Sequence, residues 1–153
     1  MKKLSWIVLG AALAAAAPAS AQQKGELGVG VLLGDPTSAT VKYFLSDVSA
    51  VDVGLGVSNN LVLHADYIYH IWNFKPQPSK GKLGFYGAVG PRLEFEDHTD
   101  FGIRLIPGAS YWPQFKKHTV EFFVELGPVI RLTEGTRVAV DGGFGLRYYF
   151  TKQ

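Results

Sequence analysis

Along most of the chain, apolar residues occupy every second position. In the last such stretch, Arg137–Phe150, valine, phenylalanine and leucine side chains alternate with charged residues and glycines. A period of two residues is typical of a β-strand whose two faces meet different surroundings. The same alternation recurs in seven further stretches separated by turn residues, at 26–33, 39–45, 51–57, 61–72, 82–95, 101–112 and 120–132. The pattern therefore predicts eight strands.

The charged residues of these strands all fall on one face. They are seven acids and seven bases: Glu26, Asp52, Asp66, Glu94, Glu121, Glu125, Asp141, Lys42, Lys82, Arg92, Arg104, Arg131, Arg137 and Arg147. A soluble barrel requires the reverse arrangement, because its outer surface meets water. We therefore predict an all-β fold, a closed eight-stranded antiparallel up-and-down transmembrane β-barrel. Its apolar face would meet lipid, and its charges would pair inside a narrow lumen.

Chain length agrees with eight strands. Eight tilted spanning strands need roughly 72–88 residues, which leaves room for turns, whereas ten would leave almost none. Pro91, Pro107 and Pro128 fall within strands on the apolar face, and each removes one hydrogen bond from the ladder. The alternation keeps its phase across each proline, so we predict local bends there and not strand breaks.

The N-terminal residues 1–21 have the composition of a secretory signal peptide. Lys2 and Lys3 precede an apolar run, and small residues at 19–21 form a cleavage site. We expect a mature barrel domain over 22–153, located in the cell outer membrane of a Gram-negative bacterium. Because 13 basic residues then balance 13 acidic ones and no cysteine is present, nucleic-acid binding and disulfides are not expected.

Four polar residues on the inward face are candidates for chemistry. His64, Asp66 and His70 lie on the fourth strand and Ser110 on the sixth, and a Ser-His-Asp set can hydrolyse an acyl ester. The alternative, which we favour, makes them members of the lumen hydrogen-bond network. Six residues of strand separate His64 from His70 by ~20 Å, which is not a usual metal signature. We expect no catalytic, cofactor-binding or metal-binding residues, and no cofactor.

An even strand number places both termini at one end, which we expect to be periplasmic, near a ring of aromatic residues that includes Trp72. The opposite connections carry no lysine or arginine but five acids, namely Asp35, Glu96, Asp97, Asp100 and Glu134. The periplasmic ones carry Lys75, Lys80, Lys116 and Lys117 against the single acid Asp47. One hypothesis is weak bridging of 96–100 to lipopolysaccharide phosphates by Mg²⁺ or Ca²⁺. The alternative is a solvated acidic rim.

Five segments together resemble a mostly uncharacterised family of small bacterial outer-membrane β-barrel proteins: GDPTSATVKYFLS, LHADYIYH, FYGAVGPRLEF, VEFFVELGPVIRL and DGGFGLRYYF. The implied architecture is similar to the eight-stranded barrels of the OmpA/OmpX type. The alternating tail that ends at Phe150 looks like the C-terminal signal of such proteins. The resemblance thus implies two kinds of partner, the outer-membrane insertion machinery and the outer-membrane lipids, both phospholipid and lipopolysaccharide.

The expected function is that of an integral outer-membrane barrel with a structural or interaction role and no catalysis. Eight strands leave a lumen that side chains fill, so a wide porin is not expected. The alternatives are a lipid-A-modifying outer-membrane enzyme, acting as an acyl hydrolase or transferase, and a narrow channel.

Overall fold

The chain folds as a closed antiparallel barrel of eight strands. The computed structural model describes residues 24–73, 75–115 and 118–150. The strands are β1 (Leu27–Asp35), β2 (Thr37–Phe44), β3 (Ser49–Val57), β4 (Leu61–Ile71), β5 (Lys82–Phe95), β6 (Thr99–Trp112), β7 (Thr119–Arg131) and β8 (Arg137–Phe150). Each strand pairs with the next, and β8 pairs with β1 to close the barrel. The predicted fold is confirmed.

Two predictions concern segments outside the described residues. The signal peptide predicted for 1–21 is one, and the basic contribution of Lys116 and Lys117 is the other. None of the described segments forms a helix that is long and apolar enough to cross a membrane.

The two faces of the strands carry the predicted polarity. Inward side chains such as Lys42 and Glu121 are fully buried, whereas outward ones such as Leu126 and Val138 are 65% and 71% exposed. A folded protein in water does not leave so many large aliphatic side chains uncovered. The distribution is that of a membrane barrel.

The three prolines interrupt hydrogen bonding without shifting the strands. Strand β6 pairs with β7 at Gly102–Arg104 and again at Gly108–Tyr111, in the same register, on the two sides of the stretch that contains Pro107. The β4–β5 ladder likewise resumes in register beyond Pro91. A proline has no N–H to donate, so the ladder is lost locally while the alternation of faces persists. The prediction that no strand breaks at these prolines is confirmed.

The sixth strand begins earlier than predicted. Phe95 pairs with Thr99, so the connection between β5 and β6 is only Glu96–His98, and Asp100 is a strand residue. Asp100 points inward and is 4% exposed. Its assignment to an acidic outer loop is wrong, because the strand pairing extends two residues beyond the apolar alternation that starts at Phe101.

The barrel has two unlike ends. The terminal end, where β1 begins and β8 ends, carries the two longest connections, 72–81 and 113–118. The distal end carries the short ones, among them Pro36 alone between β1 and β2 and Ser58–Asn60 between β3 and β4. The two longest connections therefore lie at the end that holds both termini.

Candidate functional site: the lumen network

The lumen contains one connected series of charged side chains that runs from the terminal end to the distal end. Its members come from strands that are far apart in the sequence. Acid and base alternate along nearly the whole series, as paired charges in a medium of low dielectric require.

Lys42 on β2 opens the series. Its Nζ atom donates to Glu121 Oε1 at 3.0 Å and lies 2.9 Å from His70 Nε2. The ammonium also lies 5.1 Å from the ring centre of Phe44 and 5.5 Å from that of Tyr86. Contact with the negative faces of aromatic rings supplements the ion pair.

Aromatic rings pack across the lumen at the terminal end. Trp72 stacks on His70 with ring centres 4.9 Å apart and planes 5° apart. Trp112 lies 4.8 Å from Tyr149 and 6.1 Å from Phe44. Trp72 therefore belongs to this lumen cluster and not to a lipid-facing ring, because residue 72 continues the inward phase of β4.

Arg147 on β8 is the first branching point of the network. Its guanidinium donates to Glu121 Oε2 at 3.2 Å, to Asp52 Oδ2 at 2.8 Å and to Thr40 Oγ1 at 3.0 Å. The same group lies 3.8 Å from the ring centre of Phe123. The three nitrogen atoms of the guanidinium thus reach partners on β2, β3 and β7, which ties four strands together.

The regular alternation of charge breaks between β3 and β4. Asp52 and Asp66 are direct partners across the two strands, and both point inward. His64 lies beside them, with Nδ1 3.2 Å from Asp66 Oδ2 and 4.0 Å from Asp52 Oδ1. Like charges placed directly opposite each other destabilise a sheet unless a cation lies between them.

Arg104 on β6 is the second branching point. Its guanidinium forms ion pairs with Asp66 at 3.1 Å, Glu125 at 3.1 Å and Asp141 at 3.4 Å. Tyr86 donates from its hydroxyl to the other oxygen of Glu125 at 2.9 Å. Arg104 therefore balances the acids on three different strands.

The distal part of the series ends in Asp100. Arg92 joins Asp141 at 3.0 Å to Glu94 at 2.8 Å, and Arg131 then contacts both Glu94 and Asp100. Arg137 lies 3.6 Å from Asp100. Asp100 therefore has two arginine neighbours at this end of the lumen.

Two other acids of the distal connections, Glu96 and Glu134, also have protein partners. Glu96 accepts a hydrogen bond from Asn60 Nδ2 at 2.9 Å, and Glu134 lies 3.4 Å from His98 Nε2. The hypothesis of Mg²⁺ or Ca²⁺ bridging at 96–100 relied on three exposed carboxylates. Asp100 lies inside the lumen, so only Glu96 and Asp97 remain at the surface.

The structure separates the four candidate residues into different environments. His64 and Asp66 are adjacent, but His70 contacts Lys42 through Nε2 and the carbonyl of Val48 through Nδ1. Ser110 accepts a hydrogen bond from Trp112 Nε1 at 3.1 Å. Among the described contacts, none joins Ser110 to a histidine. The interpretation as lumen network members fits these positions.

Sequence reasoning overlooked the residue that completes the His64 cluster. Asp52 was assigned to the inward face, but its position opposite Asp66 depends on the register of β3 against β4. A signal was present, since the short turn at Ser58–Asn60 fixes which residues of the two strands face each other. Counting outward from that turn places Asp52 opposite Asp66 and Gly54 opposite His64.

Among the described residues, an apolar groove of about 510 Å³ lies on the outer surface. Gly87 forms part of its floor, and its partners across the neighbouring strands are Tyr69 and Pro107. A methyl group added at Gly87 would meet nothing within 4 Å. The groove faces the same surroundings as the exposed aliphatic residues.

Comparison with known proteins gives little beyond the architecture. Neither a family model nor a curated protein matches the sequence. Among solved structures, the crystal structure of the N-terminal β-barrel domain of Pseudomonas aeruginosa OprF has a TM-score of 0.49 and 15% sequence identity, and it covers 82% of this chain and 96% of that one. The predicted similarity to eight-stranded barrels of the OmpA/OmpX type is confirmed at the level of the architecture, by the closed barrel of eight antiparallel strands itself.

Proposed function

We propose that the protein is an integral outer-membrane β-barrel with a structural or interaction role and no catalysis. The observation that carries the proposal is the filling of the lumen by paired charges and by stacked aromatic rings at the terminal end. Side chains such as Arg104 and Arg147 are fully buried, and their partners lie on strands on different sides of the barrel. Such a network makes the barrel rigid and leaves its exterior and connections as the surfaces for contact.

Three contacts support the absence of catalysis. A serine nucleophile needs a basic nitrogen within hydrogen-bond reach, whereas Ser110 is bonded to Trp112, and both ring nitrogens of His70 have other partners. A lipid-A-modifying enzyme with Ser110 as its nucleophile would need these contacts to be replaced by a hydrogen bond between Ser110 and a histidine.

The apolar exterior supports membrane insertion, and outer-membrane phospholipid and lipopolysaccharide are the partners that we propose for it. Strand β8 ends at Phe150 with alternating apolar residues, and we propose that it is the segment that the insertion machinery recognises. The signal peptide at 1–21 would direct export.

The test is expression in a Gram-negative host followed by fractionation and electrophoresis with and without heating. We expect recovery with outer membranes and heat-modifiable migration, because a closed hydrogen-bond ladder resists detergent. Recovery as a soluble periplasmic protein would contradict the proposal. The purified barrel is then reconstituted in vesicles that contain lipid A, and acyl release and ion flux are measured for wild type and Ser110→Ala. Acyl release that Ser110→Ala abolishes would favour the enzyme, and ion flux would favour the narrow channel.

A further inference from the structure

Three neighbouring side chains in the lumen each have a polar atom that could bind a metal ion and that has no hydrogen-bond partner. Asp52, His64 and Asp66 are between 2% and 4% exposed. Asp52 Oδ1, Asp66 Oδ1 and His64 Nδ1 are buried and accept or donate no hydrogen bond in the described structure. Potential ligand atoms of the three residues all lie within 4.8 Å of one another. Unpaired buried polar atoms are costly, so three of them converging require an explanation.

We propose that Asp52, His64 and Asp66 bind a divalent transition-metal ion, with Zn²⁺ as the best fit. One imidazole nitrogen and two carboxylate oxygens are a donor set that suits zinc, whereas Mg²⁺ and Ca²⁺ prefer oxygen alone. With bonds of about 2.0 Å, two ligands of a tetrahedral zinc ion lie about 3.3 Å apart. His64 Nδ1 lies 4.0 Å from Asp52 Oδ1 and 3.2 Å from the Asp66 carboxylate, measured to the oxygen that also pairs with Arg104. Small shifts of the three side chains would bring their ligand atoms to that separation.

The surrounding residues hold the ligands in place. Arg147 donates to Oδ2 of Asp52, and Arg104 forms an ion pair with Oδ2 of Asp66, so each carboxylate keeps its Oδ1 atom free. Carboxylates that bind metals are commonly oriented by such outer contacts. Gly54, opposite His64, has no side chain, and a methyl group there would overlap the imidazole ring.

A proton on His64 is the competing occupant. It would also place a positive charge between Asp52 and Asp66. The imidazolium, however, directs only its Nδ1–H toward the acids, because Nε2 lies against Gly54. One N–H satisfies one carboxylate oxygen, whereas a metal ion binds the nitrogen and both oxygens together.

The ion would enter during folding, since the ligands come from two strands and are sealed inside the barrel. Metal binding of this kind adds to folding stability. The test refolds the protein into detergent micelles after treatment with a chelator, with and without Zn²⁺. Bound metal is measured by elemental mass spectrometry after desalting, and the unfolding temperature is measured by tryptophan fluorescence.

We expect one Zn²⁺ per chain and a raised unfolding temperature for wild type, with no effect of Mg²⁺. His64→Gln should retain less than a tenth of the metal. The matched control is His70→Gln, because His70 is also buried in the lumen but has partners at both nitrogens, and it should bind Zn²⁺ as wild type does. Asp52→Asn is a second variant that keeps the side-chain volume and should weaken binding at least tenfold.

Three results would overturn the proposal. The first is a wild-type barrel that refolds with no stoichiometric Zn²⁺. The second is a His64→Gln barrel that retains as much Zn²⁺ as wild type. The third is a wild-type barrel whose stability does not respond to Zn²⁺ but is lowered by His64→Gln, since this would assign the positive charge to a proton on His64.

Discussion

Arg147 Nη2 donates a hydrogen bond to Asp52 Oδ2 at 2.8 Å, and this contact joins β8 to β3 across the lumen. The two residues are 95 positions apart in the sequence, and both are almost completely buried. Their strands are not neighbours in the barrel. The ion pair therefore links, across the lumen, two strands that no backbone hydrogen bond joins.

Replacing Arg147 with methionine should destabilise the barrel by about 3–5 kcal/mol, because Asp52 would keep a buried charge without its arginine partner and Glu121 would lose one of its two ion pairs. The measurement is urea-induced unfolding in detergent micelles. The double variant Arg147→Met with Asp52→Asn should lose less than the sum of the two single variants, since the residues are in contact. Arg137→Met is the control, because the Arg137 side chain is 55% exposed, and it should cost less than about 1 kcal/mol. Equal losses for Arg147→Met and Arg137→Met would contradict the central role of Arg147.

Arginine introduced on the outer face should impair insertion in a manner that depends on depth. Val124 and Leu55 are outward residues within β7 and β3, about half exposed. Val124→Arg and Leu55→Arg should each cost roughly 2–4 kcal/mol near mid-membrane. Val57→Arg, beside the distal turn, should cost about 1 kcal/mol or less because the side chain reaches the interface. Folding yield into lipid vesicles measures the effect, and similar yields for all three variants would mean that this face does not meet lipid.

Asp100→Asn distinguishes a lumen residue from a loop residue. Asp100 contacts Arg131 and Arg137, so loss of its charge should destabilise the barrel by about 1.5–3 kcal/mol. Asp97→Asn, three residues earlier in the exposed connection, should change stability by less than about 0.5 kcal/mol. Thermal unfolding of the two variants under the same conditions is the measurement. An equal change in unfolding temperature for the two variants would mean that Asp100 lies on the distal surface and not in the lumen.

Gly145→Ala and Gly87→Ala test how tightly the lumen is packed. A methyl group at Gly145 would overlap the ring of Phe123, which lies over it inside the barrel. Overpacking of this kind costs about 1–3 kcal/mol. The same change at Gly87 meets open space on the outer face and should be neutral or stabilise the barrel by up to about 1 kcal/mol. Comparable losses at both positions would indicate that backbone conformation, and not space, decides the outcome.

The alternation of apolar and charged residues by itself determined the number of strands, their approximate limits and the face that each side chain occupies. The reason is that a barrel between lipid and a polar lumen imposes opposite demands on successive residues of every strand. Arg104 could not face lipid without a large loss of folding free energy, so the sequence alone placed it on the inward face of its strand. The same alternation also predicted that the strands continue through Pro91, Pro107 and Pro128.

Only the tertiary structure decided which charges meet. Partners such as Arg147 and Asp52 lie on strands that backbone hydrogen bonds do not join, so the stagger of the strands around the closed barrel sets their heights in the lumen. The place of Asp100 in β6 also depended on pairing, because its strand begins before its apolar alternation does. The convergence of His64 with Asp52 and Asp66 has the same origin. The sequence assigned all three to the lumen, and the register of β3 against β4 brought their donor atoms together.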